Sequence, residues 1–309
     1  MNNLVKEYPL VSVVLATYNG ELYLREQLDS IFIQTYQRME VVAIDDCSSD
    51  TTVSILNEYA AIHANMRVFL NKKNLKHIKT FERGITLANG TYIVLCDQDD
   101  IWDKEKIAIT IAEMKEGVTL AYCDSLLIDG QGRSLNKKIS EMKNLASYNN
   151  AMPFIIGNCV AGHAAIFEKK LASMAMPFPD QIIHDWWLAF VASMNGRIAF
   201  VNEPLVKYRQ HSSSVIGAVK LNGRAKEEID KQKIIRERIR YFLEACGNSD
   251  SETKNVLTAL QKSYSGFSLA NNFSRMFTFF KYQKKLLATK KRSRFRKWLF
   301  CIKMFFIII

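Results

Sequence analysis

The sequence predicts an α/β protein with a mostly parallel sheet and helices on both of its faces. In the first half of the chain, short continuous apolar runs alternate with segments of helical periodicity. The runs have the length and the β-branched content of strands that are buried on both faces, and polar clusters follow several of them directly. This combination is typical of a nucleotide-binding sheet of the doubly wound type.

The N-terminal part supplies four strands with helices between them. The first strand, over residues 10–16, is the run Leu-Val-Ser-Val-Val-Leu-Ala, and Tyr18-Asn19-Gly20 breaks it. Large apolar residues then recur at helical spacing to about residue 34. The later elements are predicted as strands over 41–44, 66–70 and 92–96 and as helices over 51–62 and 80–88.

The middle of the chain is predicted to be less regular. Its elements are a helix over 102–116, a strand over 119–124, a mobile loop over 136–153, a strand with small residues over 157–167, a helix over 182–194 and a closing strand over 197–209. From Lys220 the pattern is helical to the end. We therefore expect an α/β domain over residues 1–219 and a helical region over 220–309.

The composition is that of a globular cytoplasmic protein. The 309 residues are 48% hydrophobic, which is enough for a sizeable core. The six cysteines form no Cys-x-x-Cys pair, so we interpret them as reduced thiols and not as a disulfide or zinc framework. The start of the sequence lacks the basic and apolar regions of a secretory signal, so a cytoplasmic location is expected.

The net charge of +11 is concentrated near the C-terminus. Residues 1–219 carry 21 Lys and Arg against 24 Asp and Glu, whereas residues 220–309 carry 21 against 7. A basic run over 290–297 precedes about twelve mostly apolar residues, fewer than the roughly 20 that a membrane-spanning helix needs. A solvated helix face or a nucleic-acid patch also favours Lys and Arg. The apolar end instead favours a tail that lies on the anionic inner face of the cell membrane, with no nucleic-acid partner.

Three carboxylates follow the fourth predicted strand within four residues. Carboxylates as close as Asp97, Asp99 and Asp100 repel one another unless a cation lies among them. Alternate residues of an extended segment point the same way, so Asp97 and Asp99 can bind one divalent ion while Asp100 turns back toward the protein as a structural helix cap. The alternative is a solvated acidic turn that caps a helix beginning near Trp102.

Two further polar clusters follow predicted strands, and in a parallel sheet all three clusters lie along one edge. They are Thr17-Tyr18-Asn19 and Asp45-Asp46. The sequence contains neither of the two glycine-rich phosphate-binding motifs, Gly-x-Gly-x-x-Gly and Gly-x-x-x-x-Gly-Lys-Ser/Thr. A cation therefore has to neutralise the phosphates of a bound nucleotide. The edge is therefore predicted to hold a nucleotide, with Asp45 or Asp46 accepting a hydrogen bond from its base or ribose.

Five short sequence motifs, here called blocks, follow one another within residues 9–217. They are Val13-Val-Leu-Ala-Thr17-Tyr-Asn-Gly20, Ile44-Asp45-Asp46-Cys-Ser-Ser-Asp50, Cys96-Asp97-Gln-Asp99-Asp100-Ile-Trp102, His184-Asp185-Trp186-Trp187 and Tyr208-Arg209-Gln-His211-Ser. As an ordered set they resemble the signature blocks of family 2 glycosyltransferases, closest to the bacterial rhamnosyltransferase-like branch that builds surface polysaccharides. The resemblance implies a GT-A fold, a nucleoside-diphosphate sugar donor, Mn²⁺ or Mg²⁺, and inversion at the anomeric carbon.

The resemblance also implies roles for individual residues. Asp99 matches the metal-binding carboxylate, with Asp97 supporting both the metal and the ribose, and His211 matches a late histidine on the metal. The residues that match contacts to the donor nucleotide are Thr17, Tyr18, Asn19, Asp45 and Asp46. Two departures stand out: Cys47 and Lys76 occupy positions where the family usually has glycine.

Asp185 matches the catalytic base of the family. On its own, a carboxylate at a helix start is kept ionised by the helix dipole, which suits a base and a simple cap equally well. Trp186 and Trp187 favour the base, because aromatic faces pack on sugars and shield a site from water. We therefore expect an acceptor pocket lined by Trp186, Trp187, His184 and Gly162. For His211 the alternative is a hydrogen-bonded surface histidine.

The resemblance thus implies a hexosyltransferase that moves a sugar, with rhamnose expected, from a dTDP or UDP donor to a lipid-linked glycan of a capsule or cell wall. A sugar nucleotidyltransferase would share the sheet and the metal, but it normally carries a glycine-rich basic loop that residues 16–20 lack. A non-catalytic membrane-bound scaffold with the same fold is the third interpretation.

Overall fold

A computed structural model describes residues 8–211, 231–247, 251–266 and 268–306. In these ranges one mixed sheet of nine strands runs through the α/β part. The strands are β1 Val11–Thr17, β2 Met39–Asp45, β3 Met66–Leu70, β4 Tyr92–Cys96, β5 Ile101–Trp102, β6 Val118–Ile128, β7 Ser134–Lys138, β8 Ala165–Glu168 and β9 Arg197–Arg209. Their order across the sheet is β3-β2-β1-β4-β8-β6-β9-β5, and β7 pairs with β6.

Twelve α-helices lie within the described residues. They are α1 Leu24–Phe32, α2 Thr52–Ile62, α3 Lys76–Leu87, α4 Lys106–Ala112, α5 Ile139–Met142, α6 Lys169–Ala175, α7 His184–Asn195, α8 Lys231–Cys246, α9 Ser251–Ser263, α10 Leu269–Lys281, α11 Gln283–Leu286 and α12 Arg294–Phe306. The described helices are all too short or too polar to cross a membrane.

The first four strands form the parallel half of the sheet, as predicted. β1 lies between β2 and β4, and its register places Thr17 opposite Asp45 and Leu15 opposite Cys96. The carboxyl ends of the three strands therefore meet at one edge. Alternate residues of β1 face opposite layers: Val14 packs with α3, and Val13 packs with α1.

The second half of the sheet brings later parts of the chain back to this edge. β8 is antiparallel to both β4 and β6, while the long strands β6 and β9 run parallel to each other. The short strand β5 pairs with β9, so Ile101 lies opposite Lys207. This pairing places the end of β9, and hence His211, beside the turn that follows β4.

Helices are present from Lys231 onward, as the sequence predicts for the C-terminal region. They share a core with the α/β part, because Phe242 of α8 stacks on Phe190 of α7 with ring centroids 4.1 Å apart. Buried Arg275 of α10 donates to the carbonyl of Met304 of α12 at 2.7 Å. The predicted domain boundary at residue 219 lies outside the described residues.

Three local predictions were wrong. The segment 136–153, predicted as an irregular loop, contains strand β7, helix α5 and a 3₁₀ turn over Met152–Phe154, because the buried carboxylate of Asp124 accepts hydrogen bonds from Ser140 N (3.1 Å) and Oγ (2.6 Å). In the strand predicted over 157–167, only the end from Ala165 forms a strand, after a 3₁₀ turn over Gly162–Ala164. The helix predicted from Trp102 begins at Lys106, since β9 pairs with residues 101 and 102.

Candidate donor and catalytic site

Thr17 and Asp45 meet at the ends of neighbouring strands. The Thr17 hydroxyl donates to Asp45 Oδ1 at 3.0 Å, and the backbone N–H of Ser48 donates to Asp45 Oδ2 at 2.8 Å. Both side chains are buried. Asp45 therefore stabilises the turn after β2. Its contribution to a nucleotide site is to fix the conformation of this edge of the sheet.

Asp46 fixes a second loop at the same edge. One of its oxygens accepts from the Asn71 amide at 2.6 Å and from Leu75 N at 2.8 Å, and the other accepts from Lys76 N at 2.8 Å. Asp46 is 3% exposed. It therefore ties the loop before α3 to the turn after β2.

The two positions that depart from the family pattern have left-handed backbones. Cys47 has φ +69° and Lys76 has φ +65°. Residues with a Cβ are strained in this region, whereas glycine is not. The glycine preference of the family at both positions thus has a backbone cause, and the chain accepts strain there. Cys47 is also exposed, whereas the other five cysteines are buried free thiols.

Gln98 connects the first cluster to the acidic turn, a role that the sequence did not reveal. Its side-chain oxygen accepts from Tyr18 N at 2.8 Å, and its amide donates to the Tyr18 carbonyl at 3.0 Å. Asn19, with φ +47°, accepts from Ser49 N at 2.9 Å. A Cβ on Gly20 would lie 2.3 Å from Gln98 Oε1, so a larger residue there would displace the end of the Gln98 side chain. The sequence feature that could have identified Gln98 is its position between Asp97 and Asp99.

The carboxylate of Asp99 lies against His211. His211 Nε2 is 2.7 Å from Asp99 Oδ2 across 112 residues of sequence. Both side chains are largely buried, with 12% of His211 and 16% of Asp99 exposed. The structure therefore brings together the two residues that the resemblance implies as metal ligands.

Asp100 does not cap a helix, contrary to the sequence prediction. It is fully buried and accepts from the backbone N–H of Arg209 at 3.1 Å, which fixes the end of β9. The buried Arg209 side chain donates to the Asp99 carbonyl at 2.8 Å and to Glu26 at 2.7 Å. Arg209 thus holds the acidic turn in place. The sequence feature that could have identified Arg209 is its position in the block that contains His211.

His163, interpreted from sequence as structural, lies under the acidic turn. Its Nδ1 is 3.9 Å from Asp97 Oδ2 and 3.7 Å from Asp100 Oδ2, and its Nε2 is 3.0 Å from the hydroxyl of Ser125. Buried Lys106 donates to the His163 carbonyl at 2.7 Å. Burial, followed by the charge of Lys106, lowers the pKa of His163 to about 3, so the imidazole is neutral.

The acidic turn has the features of a cation site. Burial, followed by the charges of Asp99 and Asp185, raises the pKa of Asp97 to about 7. Asp100 Oδ2 is buried with no hydrogen-bond partner among the described residues. Ligand atoms of Asp97, Asp100 and His163 lie within 4.8 Å of one another. Oxygen donors with one neutral imidazole suit Mn²⁺ or Mg²⁺.

Asp185 lies in the first turn of α7 and is half-buried. Its carboxylate accepts from Gly162 N at 3.3 Å and from the side chain of Asn158. Burial raises the pKa of Asp185, while the nearby charge of Lys143 opposes that rise. Because the charge of Asp185 in turn raises the pKa of Asp97, the two carboxylates are close enough to interact.

The predicted acceptor residues separate into two groups. A Cβ on Gly162 would lie 3.1 Å from His184 Nε2, so Gly162 and His184 lie together beside Asp185. Burial lowers the pKa of His184 to about 3. Trp186 is half-buried under the guanidinium of Arg238, 4.3 Å from its ring. Trp187 is 6% exposed and stacks on Phe242 in the core, so its placement in a sugar pocket was wrong.

Comparison with known proteins decides the family. The model of glycosyl transferase family 2 matches residues 12–173. A protein described as an uncharacterized glycosyltransferase from Haemophilus influenzae is 30% identical over 253 residues, covering 77% of this chain and 76% of the relative. The chain belongs to glycosyltransferase family 2. As a member of it, this family 2 enzyme is a glycosyltransferase that uses a nucleotide sugar, as the sequence blocks implied.

Two further likenesses are informative. The dTDP-rhamnosyl transferase RfbG of Shigella flexneri is 27% identical over 213 residues, covering 66% of this chain and 74% of the relative. A crystal structure of S. aureus TarS 1–349 in complex with UDP-GlcNAc aligns with a TM-score of 0.62 and 19% identity, covering 89% of this chain and 81% of TarS 1–349. The second likeness confirms the GT-A type of the fold for this family 2 enzyme.

Proposed function

We propose that this family 2 enzyme is an inverting, metal-dependent glycosyltransferase whose acidic turn holds the donor and whose Asp185 activates the acceptor. The observation that carries the proposal is that His211 contacts Asp99 in the turn after β4, which also holds Asp97, and that Asp185 is close enough to raise the pKa of Asp97. Such an edge is where ligands of open α/β sheets bind.

Asp99, His211 and Asp97 are proposed to hold Mn²⁺ or Mg²⁺. When bound, the ion neutralises the charge of the donor diphosphate. Ligand atoms of Asp97, Asp100 and His163 also lie within 4.8 Å of one another, so the same turn offers a second, overlapping set of possible ligands. Thr17, Tyr18, Asn19, Asp45 and Asp46 are proposed to form the nucleotide side of the cleft.

Asp185 is proposed as the general base. A base has to lose its proton before it accepts one, and the N–H of Gly162 and the amide of Asn158 stabilise its ionised form. In an inverting transfer, Asp185 would take the proton from an acceptor hydroxyl as that oxygen attacks the anomeric carbon. His184 and Gly162 border the base, and Trp186 lies next to it in α7.

The donor is proposed to be dTDP-rhamnose and the acceptor a lipid-linked glycan of a surface polysaccharide. The likeness to RfbG supports the sugar. The C-terminal helices support a membrane-bound acceptor, because α10 and α12 expose apolar side chains while residues 253–309 contain no Asp or Glu. The exposed apolar residues are Leu269, Phe273, Phe277, Phe295, Trp298, Leu299 and Phe306. We therefore propose peripheral binding to the cytoplasmic face of the membrane. The last three isoleucines of the predicted tail lie outside the described residues.

Incubation of the protein with Mn²⁺ and dTDP-, UDP- or GDP-sugars tests the proposal. Release of a nucleoside diphosphate, faster with a lipid-linked acceptor, is the expected result, and dTDP-rhamnose should be the best donor. No release from any donor would favour the non-catalytic scaffold. Pyrophosphate formed from a sugar phosphate and a nucleoside triphosphate would favour the nucleotidyltransferase.

A further inference from the structure

Two lysines from distant parts of the chain are placed opposite each other beside the catalytic cleft. Lys143, just after α5, and Lys290, between α11 and α12, form an isolated antiparallel β-bridge. Neighbouring Asn144 reinforces it, since its backbone N–H donates to the Thr289 carbonyl at 3.1 Å and its amide donates to the Ala288 carbonyl at 2.8 Å. Lys143 and Lys290 are therefore fixed as a cross-strand pair.

The pairing places two like charges opposite each other, with Lys143 exposed and Lys290 partly buried. Like charges directly opposite each other on paired strands are destabilising. Burial, followed by the charges of Arg292 and Lys143, lowers the pKa of Lys290. Within the described ranges, no carboxylate forms an ion pair with either lysine, whereas Lys285 of the same region pairs with Glu252. Neither ammonium group is therefore neutralised by a direct ion pair, although Lys143 is close enough to Asp185 to lower its pKa.

The immediate surroundings add a hydrogen-bond donor. A Cβ on Gly157 would lie 2.8 Å from Lys290 Nζ and 3.6 Å from Thr289 Oγ1. The Thr289 hydroxyl is buried and has no partner among the described residues. The Lys290 ammonium and the unpartnered Thr289 hydroxyl thus lie together over Gly157, and Lys143 lies opposite Lys290 in the bridge, which is a donor set suited to phosphate oxygens.

The cluster lies on the Asp185 side of the cleft. Asn158 follows Gly157 directly, and its side chain hydrogen-bonds Asp185. The charge of Lys143 acts on Asp185 more strongly than any other group that lowers its pKa. The acidic turn that is proposed to hold the donor repels a second anion unless its cation is bound. The lysine pair is therefore placed to meet an anion of the acceptor.

We propose that Lys143, Lys290 and Thr289 form a subsite for the phosphate or diphosphate group of the acceptor. This inference rests on the proposed glycosyltransferase function and narrows its substrate to a phosphate-bearing acceptor. The subsite orients the acceptor by holding its phosphate while the hydroxyl to be glycosylated reaches Asp185. No covalent step occurs at the subsite.

Calorimetry on the full chain in EDTA tests the subsite, because EDTA removes the cation that a diphosphate needs at the acidic turn. The probes are inorganic pyrophosphate and farnesyl diphosphate, with farnesol as the uncharged comparison. We expect both diphosphates to bind, weakening as salt rises, and farnesol to bind much more weakly. Lys143→Gln and Lys290→Gln should each weaken pyrophosphate binding about tenfold, since each removes a charge-assisted contact.

Two matched variants refine the test. Gly157→Ala keeps both charges but displaces the Lys290 ammonium, so it should also weaken binding. Lys137→Gln removes an exposed charge of β7 and should leave binding unchanged. Equal loss in the Lys137 variant, or no loss in the Lys143 and Lys290 variants, overturns the subsite. Loss of binding to phosphatidylglycerol vesicles with unchanged pyrophosphate binding would assign the lysines to lipid headgroups and also overturn it.

Donor turnover by the wild-type protein separates this inference from the function on which it rests. Nucleoside diphosphate release together with lysine-independent pyrophosphate binding would refute the subsite alone. Lysine-dependent pyrophosphate binding without turnover of any donor would keep an anion subsite and refute the glycosyl transfer.

Discussion

His211 Nε2 lies 2.7 Å from Asp99 Oδ2, and this contact joins the last strand of the sheet to the turn after β4. Tyr23 packs beside the imidazole, with ring centroids 4.9 Å apart. The histidine is therefore held in place from two sides. Its position makes the end of β9 part of the proposed donor site.

Removing Asp99 should abolish metal-dependent donor binding. Asp99→Asn keeps the size of the side chain but removes the charge that a divalent ion requires. His211→Ala should weaken metal binding by a smaller factor, about 10- to 100-fold, because other ligands remain. Titration of Mn²⁺ in the presence of a nucleotide sugar measures both effects.

The control for the Asp99 and His211 variants is Asp103→Asn, which alters a nearby carboxylate outside the proposed ligand set. Nucleotide-sugar binding by the Asp99 variant with unchanged metal dependence would contradict the metal role. A His211 variant with normal metal affinity would leave that histidine as a structural partner of Asp99.

Asp185→Asn should reduce kcat by about two to four orders of magnitude while donor affinity stays close to that of the wild type. The reason is that an amide cannot accept the acceptor proton. Steady-state kinetics with Asp180→Asn, which changes an exposed aspartate shortly before α7, provides the control. Wild-type turnover in the Asp185 variant would place the base elsewhere.

The dependence of activity on pH should identify the general base independently of the Asp185 substitution. Burial raises the pKa of Asp185, and the base works only when it is ionised. Activity should therefore be full above that raised pKa and fall as the pH drops through it, at a higher pH than an ordinary aspartate would give. An acid limb that persists unchanged in the residual activity of Asp185→Asn would belong to another group.

Lys76→Gly should stabilise the protein by about 1 kcal/mol. Lys76 has φ +65°, a conformation that strains any residue with a Cβ. Its backbone N–H, which donates to Asp46, is retained by glycine. Urea denaturation measures the change. Lys76→Ala is the control, since it removes the same charge and keeps the Cβ; an equal gain in the alanine variant would attribute the effect to charge.

Replacing Phe277 and Trp298 together by serine should reduce binding to anionic vesicles by at least about tenfold, because burial of each large apolar side chain contributes roughly 1.5–3 kcal/mol. These side chains are 60% and 47% exposed. Truncation of α12 is a poorer test, since buried Met304 packs in the core. Vesicle co-sedimentation measures the loss.

Leu22→Ser is the control for the vesicle experiment, because Leu22 is 76% exposed but lies in the N-terminal part. If this variant loses as much vesicle binding as the double variant, the exposed face of α10 and α12 is not the membrane surface. If neither variant loses binding, basic residues alone hold the protein on the vesicle.

The sequence by itself determined the parallel half of the sheet and its polar edge. Strand runs such as Val11–Thr17 and their spacing are local signals, and the register that places Thr17 opposite Asp45 follows from parallel pairing of neighbouring runs. The ordered blocks also predicted the family and named Asp99, His211 and Asp185. The sheet prediction needed only local periodicity and the geometry common to parallel sheets, whereas the family and these three residues came from the resemblance of the blocks to a known family.

Tertiary structure decided which side chains meet across long stretches of chain. It moved Trp187 into the core, where Phe242 of α8 covers it, and moved Asp100 from a helix cap to an anchor for Arg209. It also placed His163 under the acidic turn and Lys143 opposite Lys290. Such contacts depend on how distant elements pack, and local periodicity carries no information about packing partners, so only the folded chain could reveal them.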